Sequence, residues 1–164
     1  MDARTTQSVM MAVTSALMSL QLHGHIHKDV KPHNVLVCQE PDEYFGGMEV
    51  TYKLSDFGLA GPAADWSPAD GEGTPAFKPP DGHWVMSSDT YSLGKLFLAC
   101  RSGAAPQPGT LEELRASGVY DRLPDPLREE EWDLLRVCLE ENGLRRESPC
   151  RLLEVTRYFD VNFF

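Results

Sequence analysis

The stretch His27-Lys28-Asp29-Val30-Lys31-Pro32-His33-Asn34, followed further on by Asp56-Phe57-Gly58, is the most informative part of this chain. It is a polar loop set between short apolar runs. His25-Ile26-His27 precedes it and Val35-Leu36-Val37 follows it, and both read as strand-like. Val50 to Leu54 alternates like a further strand and delivers Asp56-Phe57-Gly58 directly after it. Acid, cation and amide side chains are thus placed on loops between strands, where a scaffold can aim them at a ligand.

Around this loop the chain reads as one domain of 164 residues, with 41% hydrophobic and 24% charged residues, a globular mix. Apolar residues from about Thr6 to Leu22 fall at helical spacing: Val9, Met10, Val13, Ala16, Leu17 and Leu20. Gly24 ends that helix. Polar residues within Val9–Leu22 and the lack of a small-residue cleavage pattern favour a helix over a signal peptide. Gln39 to Met48 reads as a connection, broken by Pro41 and Gly46-Gly47. Asp56 to Ser88 is a long Gly/Pro/Asp-rich stretch with little periodicity, the kind of segment that is functional or disordered. Helical texture resumes with Tyr91, Leu93, Leu96, Phe97 and Cys100. It continues over Leu111–Ala116 and Glu129–Glu140, and from a Ser148-Pro149 cap through Tyr158. The predicted fold is mainly α with a few short β-strands.

Net charge is −10, which disfavours a nucleic-acid partner held by phosphate contacts. No apolar run is long enough to span a bilayer. With no signal peptide in view, the expected location is intracellular and cytoplasmic. Cys38, Cys100, Cys138 and Cys150 lack metal spacing and read as free thiols, with Cys38 and Cys100 in the core. Trp66 and Trp84 read as packing residues rather than as a substrate surface.

The two opening motifs resemble the catalytic loop and the metal-binding D-F-G of the eukaryotic protein kinases, serine/threonine branch. Downstream, Gly73-Thr74-Pro75 through Pro79-Pro80-Asp81 is similar to the end of that family's activation segment. Asp89-Thr90-Tyr91-Ser92-Leu93-Gly94 resembles its D-x-W/Y-S-x-G helix, and Asn142 to Arg146 its D-P-x-x-R. The resemblance runs from about Thr6 to Phe159. It implies ATP and Mg²⁺ as cofactors and a protein substrate. Asp29 would accept or orient the proton of the attacking hydroxyl, and Lys31 would place its charge by the γ-phosphate. Thr74 would fix the acceptor site. Asn34 and Asp56 would hold metal, and Lys31, Asn34, Leu36 and Asp56 would form the nucleotide site. His27, Phe57, Gly58, Asp81, Asp89 and Arg146 would be supports. His27 would pack on Phe57, Asp81 would pair with Arg146, and Asp89 would brace the catalytic loop.

The resemblance implies the large (C-terminal) lobe alone. None of the five lysines sits in a V-A-I-K-like strand before the loop, and Gly71 to Ala76 fits G-x-G-x-x-A only as a chance match. Phosphate transfer would then need a partner protein or a separate segment supplying the N-lobe. The alternative is a truncated or pseudokinase-like scaffold module with little turnover; a small-molecule phosphotransferase fits the motifs less well. Lys28 stands where the family has arginine, which weakens phosphate-dependent switching. One of Asp65, Asp70 or Glu72 would serve Lys28 as a permanent phosphate substitute. Ser67-Pro68 reads as a turn.

Overall fold

Asp2 begins the fold by capping the first helix. Its carboxylate accepts the Thr5 N–H at 2.8 Å, satisfying a donor that a helix start leaves open. The helix α1 (Ala3–Leu22) therefore starts earlier than the apolar pattern predicts. It buries Val9, Met10, Val13 and Leu17 along one face. The computed structural model describes residues 1–41, 46–63, 67–68, 71–155 and 157–159.

Among the described residues the strands form three antiparallel pairs. β1 (His25–Ile26) pairs with β4 (Gly61–Pro62), so the chain on either side of the hairpin is closed at its base. β2 (Val35–Pro41) pairs with β3 (Met48–Leu54) from Val35↔Leu54 to Pro41↔Met48. The connection expected over Gln39 to Met48 is thus shorter than predicted. Strand pairing carries through Pro41, which edge positions tolerate. β5 (Ser67–Pro68) pairs with β6 (His83–Trp84), so Ser67-Pro68 is a short strand rather than a turn.

Four further α-helices follow among the described residues: α2 (Ser88–Ser102), α3 (Leu111–Ala116), α4 (Glu129–Cys138) and α5 (Pro149–Val155). Within α2 every residue from Ser88 to Arg101 is buried. Leu93, Leu96, Phe97 and Leu98 are fully enclosed, each contributing about 1.5–3 kcal/mol by burial. Several polar members of α2 find partners there, while the Thr90 hydroxyl is buried without one. Ser92 donates to Phe77 O at 2.8 Å, and Lys95 donates to Gln107 O at 3.1 Å beside the Tyr91 ring. The Arg101 guanidinium meets Asp125 at 2.9 Å and Glu131 at 3.1 Å. The core joins α1, α2 and α4 with Tyr120, Leu152, Tyr158 and Phe159.

Two helix ends differ from expectation. α4 stops at Cys138 rather than Glu140, and the Leu139 N–H still bonds back to Leu135 O at 2.8 Å. α5 stops at Val155 rather than Tyr158, and a 3₁₀ turn over Arg157–Phe159 follows. Gln7 Nε2 donates to Tyr158 O at 2.8 Å, and Tyr158 meets Phe97 edge to face. Tertiary partners thus take groups that a continuing helix would have used. Cys100 and Cys138 are buried and all four cysteines are free thiols, but Cys38 is only half-buried on the hairpin, not in the core. Trp84 is buried against Ile26, a packing role. Trp66 lies outside the described residues.

Gly94 lets α2 approach α4. A Cβ there would lie 2.7 Å from Cys138 Cβ and 2.8 Å from Leu139 Cδ2. Gly94→Ala improves helix propensity by about 1 kcal/mol, yet the overpacking is expected to outweigh that gain, since such insertions cost about 1–3 kcal/mol. Thermal unfolding should show a lowered melting temperature; an unchanged or raised one would contradict this account of the contact.

Candidate active site

Asp89, in the first turn of α2, accepts two backbone N–H groups: His27 to Oδ2 at 2.6 Å and Lys28 to Oδ1 at 3.0 Å. The residue is 2% exposed. Burial drives its carboxyl pKa upward, while the two N–H donors favour the ionised form. Between these anchors the backbone turns sharply, and Lys28 has φ of +68°, a left-handed value unusual outside glycine. That conformation is held from both sides and presents Asp29 inward.

Asp29 gathers the next group. Its Oδ2 accepts from Lys31 Nζ at 2.7 Å and from Asn34 Nδ2 at 3.1 Å. Its Oδ1 accepts from the Thr74 hydroxyl at 2.7 Å. Lys31 Nζ also donates to Thr74 Oγ1 at 2.9 Å, and Asn34 Nδ2 to Asp29 O at 2.8 Å. Burial pushes the Asp29 carboxyl up. The hydrogen bonds from Lys31, Thr74 and Asn34, together with the Lys31 charge, outweigh it and hold the pKa below the usual carboxylate range. The side chain stays ionised at neutral pH while still bearing oxygens that accept protons.

The second motif is tied in through Ser55. Its N–H and hydroxyl both donate to Asn34 O, at 2.8 and 3.0 Å. Its carbonyl lies 3.0 Å from His27 Nε2. The His27 and Phe57 rings meet at 5.0 Å between centroids, edge to face. Asp56 follows Ser55 with φ of +61°, exposed, and accepts the Gly58 N–H at 3.4 Å. Leu36, on β2 opposite Lys53, is 51% exposed and lies outside the cluster around Asp29.

The segment carrying Thr74 is pinned at several points. Lys28 Nζ and Glu72 Oε2 form an ion pair at 2.8 Å. A Cβ on Gly73, whose φ is +74°, would collide with Lys28 O. Beyond it, Arg146 Nη2 reaches Asp81 Oδ2 at 3.4 Å. The distance is long for a hydrogen bond, in keeping with the short aspartate stem. Arg146 is held more firmly by Glu140 O at 2.6 Å, Glu141 O at 3.0 Å and the face of Tyr91. Gly71 to Ala76 runs through loop into a 3₁₀ turn over Pro75–Phe77, with the short strand Ser67–Pro68 upstream, and no α-helix opens there. Asp65 and Asp70 lie outside the described residues.

A protein kinase domain model matches residues 1–159. The chain belongs to the protein kinase family. Among similar proteins, serine/threonine-protein kinase PKZ1 of Phytophthora infestans is 32% identical over 122 residues, covering 66% of this chain and 30% of that protein. A mitogen-activated protein kinase kinase, MKK2 of Pyricularia oryzae, is 29% identical over 152 residues, 79% of this chain and 27% of that protein. Serine/threonine-protein kinase AfsK of Streptomyces coelicolor is 28% identical over 166 residues, 93% of this chain and 19% of that protein. The chain thus spans about a third or less of the length of the curated relatives named here. No helix among the described residues is long and apolar enough to cross a membrane.

Kinase motifs point to Asp29, Lys31, Asn34, Thr74 and Asp89; the fold draws the first four into contact, and Asp89 holds the loop from behind through the His27 and Lys28 amides. Ser55 escaped the sequence reading. Its position just before Asp56 was the available signal, but its bonds to residues 27 and 34 depend on strand register. Gly73 is legible in the sequence as part of a glycine pattern and of the activation-segment motif, but not its closeness to Lys28 O, which is what requires glycine there.

Asp89→Asn should cost about 1–3 kcal/mol, because an amide nitrogen would face one of two buried N–H donors. Urea unfolding and amide exchange at His27 and Lys28 check this; unaltered stability with slow exchange would refute it. Acid titration offers a second test. A carboxyl with a depressed pKa contributes stability above its ordinary value near 4 and loses it as pH falls through the folded value. Unfolding free energy of the parent should therefore fall more steeply with acid than that of Asp29→Asn.

Proposed function

We propose that this chain is the large-lobe portion of a serine/threonine protein kinase, transferring the γ-phosphoryl group of ATP to a protein hydroxyl. The observation that carries this reading is the Asp29 carboxylate, shared by Lys31 Nζ, Asn34 Nδ2 and Thr74 Oγ1. In phosphoryl transfer the protein contributes positioning and charge rather than covalent chemistry. Asp29 orients the acceptor hydroxyl and takes its proton as the new oxygen–phosphorus bond forms and the bond to the departing ADP oxygen breaks. Lys31 offers its charge to the moving phosphoryl group without competing for the proton. Thr74 holds both residues, so the acceptor segment and the acid are set together. The Lys31-Pro32 pair and the Lys31–Thr74 bond favour serine or threonine acceptors, in line with the names of two of the relatives.

The donor set suits Mg²⁺. Asn34 has its amide nitrogen committed to Asp29, which directs the oxygen away from it, and Asp56 offers an exposed carboxylate. One carboxylate and one amide oxygen are few ligands, as befits an ion that keeps waters and phosphate oxygens. When bound, Mg²⁺ supplies charge neutralisation at the phosphates. Leu36, Phe57 and Leu59 are exposed apolar residues on β2 and beside Asp56. A nucleotide resting there needs a cover, and we assign that role to an N-lobe from a separate segment or a partner protein. The same exposure supports the second reading, a docking module with little turnover of its own.

Mg²⁺-dependent transfer of labelled phosphate to a generic protein substrate tests the reading, with Asp29→Asn and Asp56→Ala compared to the parent. Each substitution should lower transfer by about 10²-fold or more. Equal signal in all three would reject the enzymatic reading, and nucleotide binding without any transfer would favour the docking module.

A further inference from the structure

We infer that the acceptor protein is recognised through an apolar side chain, within about three residues of the acceptor hydroxyl, which enters a pocket between the catalytic loop and the end of α2; the inference rests on the kinase reading and names the substrate class of that site. The pocket has a volume of about 440 Å³, in the range of cavities that enclose a ligand group. Phe77, Ala99 and Cys100 are its buried walls, each 8% exposed. Pro32, His33 and residues 103–105 are its exposed walls, with Met1 beside them. Two of these walls belong to the acceptor site. Pro32 directly follows Lys31, and the Phe77 N–H donates to Thr74 O at 2.9 Å, so the pocket adjoins the seat of Thr74.

The lining decides what the pocket takes. No carboxylate is found among the described residues that line it. Burial pushes the Cys100 thiol up to about 11, so the thiol is neutral at neutral pH and behaves as a small apolar group. One turn before Ala99, Lys95 already places a cation in α2, bound to Gln107 O at 3.1 Å. An arginine or lysine entering here would leave water without meeting an acid, which is unfavourable. An apolar side chain gains by the same move. The net charge of −10 draws basic peptides to the surface at large, but the wall beside the acceptor selects against them. The pocket is also preformed. Trp84 packs on Gly73, Thr74 is bonded to Asp29 and Lys31, and Ser92 holds Phe77 O at 2.8 Å. The Gly103 N–H bonds back to Ala99 O at 2.8 Å, fixing the turn at the far end of α2. Little ordering cost is left for binding.

Serine-acceptor peptides in an alanine–glycine background test this, each carrying leucine, arginine or aspartate at one position on either side of the serine. Binding to the full chain is read by fluorescence anisotropy without nucleotide, and transfer in the Mg²⁺-dependent assay. At one position leucine should bind about fivefold or more tightly than arginine and raise kcat/KM for the peptide in the same proportion. Ala104→Trp, which adds bulk at an exposed wall, should abolish that preference without disturbing the fold. Ala99→Glu, which sets an acid on a buried wall, should turn it toward arginine. Leucine and arginine peptides that bind alike at every position, no binding by any peptide, or a preference untouched by Ala104→Trp overturns the inference. So does self-association of the parent that Ala104→Trp abolishes, which would assign the pocket to a second copy of the chain. A leucine preference in binding with no phosphate transferred to the bound peptide would sink the kinase reading instead, and the pocket would stand as a peptide site.

Discussion

The bond between the Asp89 carboxylate and the amides of His27 and Lys28 is the constraint on which the site depends. A loop with left-handed backbone at a lysine does not hold that shape unaided. It is held because α2, buried from Ser88 to Arg101, brings an acid to the place where two adjacent N–H groups converge. The arrangement is costly to make, since a carboxylate must leave water, and both of its oxygens must be used to offset the loss. Once made, it fixes the direction of Asp29 without any contact to Asp29 itself. The rigidity of the site is therefore borrowed from the helix core.

From that anchor, order passes outward in two directions. Through His27 it reaches Ser55 and Phe57, which places the second motif beside the first. Through Lys28 and Asp29 it reaches Glu72, Gly73 and Thr74. Cation, hydroxyl and amide all converge on one carboxylate. The charge that would make burial unfavourable is thereby compensated, and the oxygens stay oriented toward these donors.

Much of this was legible beforehand because the motifs are local. The loop residues lie within one short polar run, and α2 announces itself by Tyr91, Leu93, Leu96, Phe97 and Cys100. What stayed hidden depends on partners distant in sequence. Nothing near Arg101 shows that it would be buried with Asp125 and Glu131, and nothing near Ser92 shows that it would hold Phe77 O. The hairpin was drawn too short because Pro41 and Gly46-Gly47 read as breakers, whereas pairing with Met48 extends the strand. The α5 boundary was drawn too long because cap signals mark a helix start, while its end is set by where Tyr158 must pack. The acid that meets Lys28 could be narrowed only to three residues, since loop geometry chooses among them.

The packing of Trp84 on Gly73 has an optical consequence. A fully enclosed indole whose ring edge touches the segment next to Thr74 is a native fluorophore at the seat itself. Displacement of the segment would admit water to that ring and move its emission toward longer wavelengths. Trp132, enclosed on α4 beside Tyr120, would hold its colour as an internal reference. The molecule thus carries an intrinsic reporter for the docked and undocked forms of its own loop.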